Sequence, residues 1–144
     1  MTIERLTKID ESVYQAFKKL IPQLTGDENR FPSVKELQRV IQSEDTMVFV
    51  AKENDEILGT TTLALYRLPS GLKAWIEDVI VDESARGKGV SVALMNHALN
   101  AARETGVKKV DLTSQPFRLA ANNLYQKLGF ELRKTNVYRL TIDN

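Results

Sequence analysis

Along the first third of the chain, Val13, Phe17, Leu20, Ile21 and Leu24 recur at helical spacing behind a short strand candidate at Thr2 to Leu6. The pattern predicts a helix from about Asp10 to Leu20, ended by Pro22 and by Thr25-Gly26-Asp27. Ser33 and Glu36 have capping-box spacing before Val34, Leu37, Val40 and Ile41, which predicts a second helix. From Thr46 the period changes. Met47 to Ala51 is densely apolar, Asn54-Asp55 reads as a turn, and Ile57 to Tyr66 is rich in threonine and aliphatic residues, which together predict a hairpin. Pro69-Ser70-Gly71 turns the chain again, into a third strand from Lys73 to Val81.

Downstream, Val90, Ala93, Leu94, His97, Ala98 and Ala101 form one continuous helical face that Gly106 ends. Val107 to Thr113 reads as a strand, Pro116 lies near the start of a further helix, and Gly129 follows its end. Phe130 to Arg133 and Val137 to Ile142 read as two final strands. A strand-helix-strand unit among antiparallel neighbours predicts an α/β (α+β) fold: a mixed, mostly antiparallel central sheet flanked by about four helices. At 144 residues, one domain spanning 1–144 is the expectation.

Composition narrows the chemistry. Lys plus Arg number 20 against 19 for Asp plus Glu, so no global field favours nucleic acid, and anion recognition has to be local. The absence of cysteine excludes thiolate catalysis and Cys-based zinc sites, and a single histidine excludes a His-cluster metal site. A polar N-terminus, and no apolar run approaching the ~18 residues of a membrane span, make a cytoplasmic protein without membrane partners the expectation.

The local anion site is sought in VDESARGKGVS, residues 81–91, where two glycines and two cations join a strand to a helix. A helix N-terminus presents unpaired N–H groups and partial positive charge, and a glycine-rich entry lets phosphate oxygens approach them. The alternative is a cationic turn that only solubilises a strand end. A Walker A loop is ruled out because Gly89, not Ser or Thr, follows Lys88; a dinucleotide fingerprint begun at Gly87 fails at Val92.

This stretch resembles the acetyl-CoA-binding motif of the GNAT superfamily of N-acetyltransferases, an Arg or Gln, two residues, Gly, one residue, then Gly or Ala. Arg86 and Gly89 match, whereas Ser91 stands where the family prefers Gly or Ala. About thirty residues on, Ala121-Asn122-Asn123-Leu124-Tyr125-Gln126-Lys127-Leu128-Gly129-Phe130 resembles the family's second signature, Ala-x-x-Leu-Tyr-x-Lys-x-Gly-Phe. Arg118 occupies a position where many members carry asparagine. The resemblance covers residues 46 to 142, and the N-terminal helix pair falls on the family's variable substrate side.

The resemblance implies acetyl-CoA as co-substrate, held where two strands of the sheet splay apart. Backbone groups of Val79, Ile80 and Val81 would hold the pantetheine arm, with the Val79 amide as oxyanion donor. The amides from Arg86 through Gly87, Lys88, Gly89 and Val90 to Ser91 would hold the pyrophosphate, with Asn122 and Lys127 on the same cofactor. It also implies direct attack of a primary amine, on a small molecule or a peptide, with Tyr125 as the acid for the leaving thiolate.

Glu77 and Asp78 interrupt an apolar strand. Alternation places Glu77 on the face of Val79 and Val81, making it the candidate base, and leaves Asp78 structural. His97 lies on the apolar face of its helix and reads as a core or boundary residue. Trp75 and Tyr66 are candidates for lining an acceptor pocket, with ordinary packing the simpler reading. Two further functions stand beside the enzyme: a CoA-binding sensor, and a basic patch of Arg86, Lys88, Lys108 and Lys109 that lacks the stacking aromatics nucleic acid needs. A homodimer paired through the C-terminal strands is a further expectation.

Overall fold

The computed structural model describes residues 1–143. They divide into two compact units, Met1–Thr113 and Ser114–Asn144, the second described as far as Asp143.

In the first unit, β1 (Thr2–Arg5) leads into α1 (Glu11–Thr25) and α2 (Val34–Gln42), and then into a meander of β2 (Thr46–Glu53), β3 (Glu56–Leu68) and β4 (Gly71–Val81). The four strands form one antiparallel sheet in the order β1-β2-β3-β4. A short 3-10 turn, Glu83–Ala85, connects β4 to α3 (Val90–Glu104). The β2–β3 turn is set by Asn54 and Asp55 at φ 52° and 64°. Positive φ at both central residues matches strand twist in a two-residue hairpin.

Both faces of the sheet are used. Val48 and Val50 join Leu6, Val13, Phe17 and Leu37 in a core under α1 and α2. On the opposite face, Phe49, Ala51, Leu63, Leu65, Ala74 and Ile76 are buried, and α3 packs there across β2, β3 and β4. The closest approach is at Gly59, where an added Cβ would lie 2.8 Å from the Ile80 carbonyl oxygen, 3.2 Å from Val90 Cγ1 and 3.3 Å from Leu94 Cδ1. No side chain larger than hydrogen fits, so α3 sits with its first turn pressed against β3 and β4.

Three sequence expectations change here. The first helix runs through Pro22 to Thr25 and closes on Gly26, at φ 78°, whose N–H donates to the Pro22 carbonyl. The buried stripe Val13, Phe17 and Leu20 holds the helix to the sheet, and this packing overrides the hydrogen bond that proline removes. Residues 107–113 do not form a regular strand. Only Asp111 bridges to Trp75, in parallel, with Ile76 N–H donating to Asp111 O at 2.9 Å and Asp111 N–H donating to Ala74 O at 3.1 Å. Apolar alternation permits a strand, but a ladder needs a partner along its length. The buried face of α3 is Val90, Leu94, Met95, Ala98 and Ala102, rotated from the expected stripe so that His97 is exposed, edge-on to Phe49 at 4.9 Å.

In the second unit, α4 (Leu119–Lys127) is followed by Gly129 at φ 102°. The strands expected at 130–133 and 137–142 are not formed: no ladder follows α4 among the described residues. Leu132, Val137, Tyr138, Leu140 and Ile142 are all highly exposed, so the alternating pattern lacks the partner that would convert it to sheet.

Candidate active site

β4 carries the first part of the site. Its register with β3 pairs Thr62 with Glu77 but Thr60 with Ile80, so Asp78 and Val79 together oppose Thr61. Two residues against one is a β-bulge, and Asp78 takes its unusual backbone, φ 52°. The expected alternation therefore fails. Glu77 shares a face with Trp75 and, past the bulge, with Ile80, while Val81 pairs with Gly59 on the α3 face. Glu77 does not share a face with Val81, because the extra residue shifts the phase by one.

Glu77 and Asp78 are both exposed. Desolvation nevertheless raises the Glu77 carboxyl above its ordinary range, and the charge of Asp78 raises it further. Desolvation raises Asp78 too. The parallel bridge at Trp75 stops there, so among the described residues of this unit no strand pairs with the outer edge of β4 from Glu77 to Val81. An extended chain could add at such an edge.

β4 leads directly into the expected anion loop. Asp82 is 4% exposed and gathers four polar partners. Gln23 Nε2 donates to it at 2.7 Å, Lys19 Nζ at 3.4 Å and the Ser84 N–H at 3.4 Å, and the Ser84 hydroxyl bonds it as well. The Glu83 N–H donates to Gln23 Oε1 at 3.2 Å. The Gln23 and Ser84 hydrogen bonds, helped by Lys19 and opposed by burial, hold the Asp82 carboxyl down at about 2. This network ties the last turns of α1 to the loop entrance, which the extension of α1 past Pro22 makes possible.

Gly87 and Gly89 then take φ 80° and 76°, and Gly89 is the N-cap of α3 with no side-chain cap. Arg86 and Lys88 are exposed beside it, Val90 is buried and anchors the helix, and Ser91 is half-buried. The opening N–H groups of α3 thus face a loop with two cations and no capping side chain, as a diphosphate cradle requires.

The structure brings Glu77, Val79, Ile80, Val81 and the loop from Arg86 to Ser91 together along one strand-loop-helix path. Tyr125, Asn122 and Lys127 belong to the second unit. There Tyr125 is half-buried, its ring edge-on to Phe130 at 6.1 Å; burial raises its hydroxyl pKa, against the opposing charge of Arg118. Both amide hydrogens of Asn122 are used locally, donating to the Gln115 and Arg118 carbonyls at 2.9 and 2.7 Å. Lys127 is exposed in the last turn of α4.

Sequence reasoning missed Gly59, Gln23 and Asp82. The aspartate carried a readable signal, since Asp-x-Ser at a strand end is the spacing of an Asx turn. Gly59 and Gln23 act through contacts distant in sequence, which no local pattern records. Two grooves of the first unit, about 390 and 380 Å³, hold none of the expected site residues: one lies at Glu4 to Lys8, the other between α1 and the Asn54–Ile57 turn. Among the described residues no acidic, histidine or cysteine cluster suited to a metal ion is present, and no helix is long and apolar enough to cross a membrane.

These features coincide with a known family. The acetyltransferase (GNAT) family model matches residues 11–130, and the chain belongs to that family. It is 30% identical over 101 residues to the uncharacterised N-acetyltransferase YhdJ of Bacillus subtilis (strain 168), covering 69% of this chain and 71% of that protein. To N-acetyltransferase 8B of Homo sapiens it is 31% identical over 85 residues, covering 58% of this chain and 37% of that longer protein.

Solved structures share the fold. An aminoglycoside acetyltransferase from an uncultured soil metagenomic sample, in complex with trehalose, aligns with a TM-score of 0.86 at 20% identity over 99% of this chain and 96% of that one. A predicted acetyltransferase with acetyl-CoA from Clostridium acetobutylicum aligns at 0.72, with 20% identity over 96% of each chain.

Proposed function

We propose that the protein transfers an acetyl group from acetyl-CoA to a primary amine of a small molecule or peptide. The observation that carries this reading is the uncapped α3 N-terminus behind Gly87 and Gly89, continuous with the β4 edge from Glu77 to Val81, which among the described residues of this unit pairs with no strand. The family match runs from residue 11 to 130, through the boundary at Thr113, which supports reading the chain as one acyltransferase domain.

Acetyl-CoA supplies an activated acetyl thioester. The amides from Arg86 to Ser91 hold its diphosphate, Arg86 and Lys88 add charge, and backbone groups of Val79 to Val81 hold the extended arm, with the Val79 N–H on the carbonyl oxygen. Lys127 assists with phosphate charge. The amine nitrogen forms the new N–C bond as the C–S bond breaks. Glu77 takes the amine proton, directly or through water; its raised pKa brings it nearer the range where a carboxylate is an effective base. Tyr125 gives its proton to the departing thiolate, and burial keeps the phenol protonated.

The test is a melting-temperature shift on adding acetyl-CoA. Stabilisation by ~2.7 kcal/mol is expected at a hundredfold excess over Kd. Gly89→Val should abolish the shift, because a β-branched residue at φ 76° distorts the cradle and crowds its mouth. An unchanged shift in the variant overturns the cradle.

A further inference from the structure

The β3–β4 pair presents two unlike faces. Towards α3, Leu63, Leu65, Ala74 and Ile76 are at most 8% exposed. Towards α1 and α2, the corresponding residues stay open: Thr62, Ala64 and Trp75 are half-buried, and Tyr66 and Glu77 are exposed. Cross-strand pairing sets their layout, with Thr62 opposite Glu77 and Ala64 opposite Trp75.

The result is an open strip of sheet face with a floor of two small residues, Thr62 and Ala64. One end is an aromatic wall: Trp75 Nε1 donates to Tyr66 Oη at 2.8 Å, locking the two rings together. The other end is the Glu77 carboxylate with Asp78 next to it. Residues two apart on a strand are separated by roughly 6.6 Å, which fixes the span between wall and carboxylate.

We infer that the acceptor is an amine carried two or three carbons from a flat, weakly polar ring, seated with the ring against Trp75 and Tyr66 and the nitrogen at Glu77. This rests on the acetyltransferase reading and names the substrate class of that site. Two observations select the ring. The indole N–H is already bonded to Tyr66, so the Trp75 ring offers aromatic surface with its one donor used. The floor supplies one hydroxyl, from Thr62, and the Ala64 methyl. A polyhydroxylated ring would lose more water hydrogen bonds there than the Thr62 and Tyr66 hydroxyls can replace, whereas an aryl ring loses none. At the other end, a carboxylate attracts an arriving ammonium and can accept its proton.

The experiment measures CoA release by the full chain with acetyl-CoA and three amines: 2-phenylethylamine, glucosamine and spermidine. The kcat/KM for 2-phenylethylamine is expected to exceed the others by at least about 10-fold, since aromatic contact contributes ~1–1.5 kcal/mol beyond area burial. Trp75→Ala should raise the KM for 2-phenylethylamine about 10-fold while retaining the acetyl-CoA-induced melting shift. Trp75→Leu, which keeps apolar bulk without the ring face, should act in the same direction and serves if the alanine variant fails to fold. Equal kcat/KM for the three amines, or an unchanged KM in both variants, overturns the inference and leaves the acetyltransferase reading intact. No melting shift and no CoA release with any amine overturns both.

Discussion

β4 ends in two regions of opposite construction. Around Asp82, Gly59 and the first turn of α3, each group is held from several sides: a buried carboxylate has four polar partners, and a glycine admits nothing larger. Around Thr62, Trp75 and Glu77, one face of the same strands is left open. The contrast separates two kinds of recognition. In the proposed reaction a diphosphate is met by backbone N–H groups, so its site depends on where the chain runs, whereas the acceptor is met by side chains, so its site can be rewritten without moving the chain.

The largest effect expected is on the closed side. Gly59→Val should destabilise the fold by about 3 kcal/mol or more, measured by urea unfolding, because backbone and α3 side chains must both move. A variant with unchanged stability would show that α3 is not fixed at this contact. Next comes the chemistry itself. Tyr125→Phe should lower turnover about 100-fold with little change in the acetyl-CoA melting shift, since only the proposed proton donor is lost. Retained turnover would assign the acid elsewhere.

A smaller effect follows from Asp82. Its folded pKa of about 2 lies below the unfolded 3.8, so its stabilisation is complete above the unfolded value and drains as pH falls toward 2. The difference amounts to about 2–2.5 kcal/mol. Acid titrations of unfolding should show it in the wild type and lose most of it in Asp82→Asn. The smallest is His97→Ala, which removes an exposed ring edge-on to Phe49 and should cost about 0.5–1 kcal/mol with turnover unchanged. A large loss of turnover there would bring His97 into the chemistry.

The two regions also differed in how far the sequence revealed them. The loop before α3 was legible because its backbone demands glycine at fixed spacing: Gly87 and Gly89 mark positive φ, and Val90 marks where the helix docks. The open face was legible in part: Trp75, Tyr66 and Glu77 each stood out in the sequence, but the Trp75–Tyr66 contact arises only through the β3–β4 register. The same limit hid Gly59 and Gln23. It also explains why 107–113, 130–133 and 137–142 read as strands without becoming them: local alternation describes what a segment could pair, while pairing depends on a partner elsewhere. The bulge at Asp78 broke the one inference that relied on uninterrupted alternation, the face assigned to Glu77.

That extra residue in β4 has a consequence for how the protein could diversify. It acts as a phase break between two stretches of one strand. Residues up to Glu77 can exchange side chains while Val79 to Val81 keep their own orientation, so in the proposed reaction acceptor choice becomes separable from the acetyl donor.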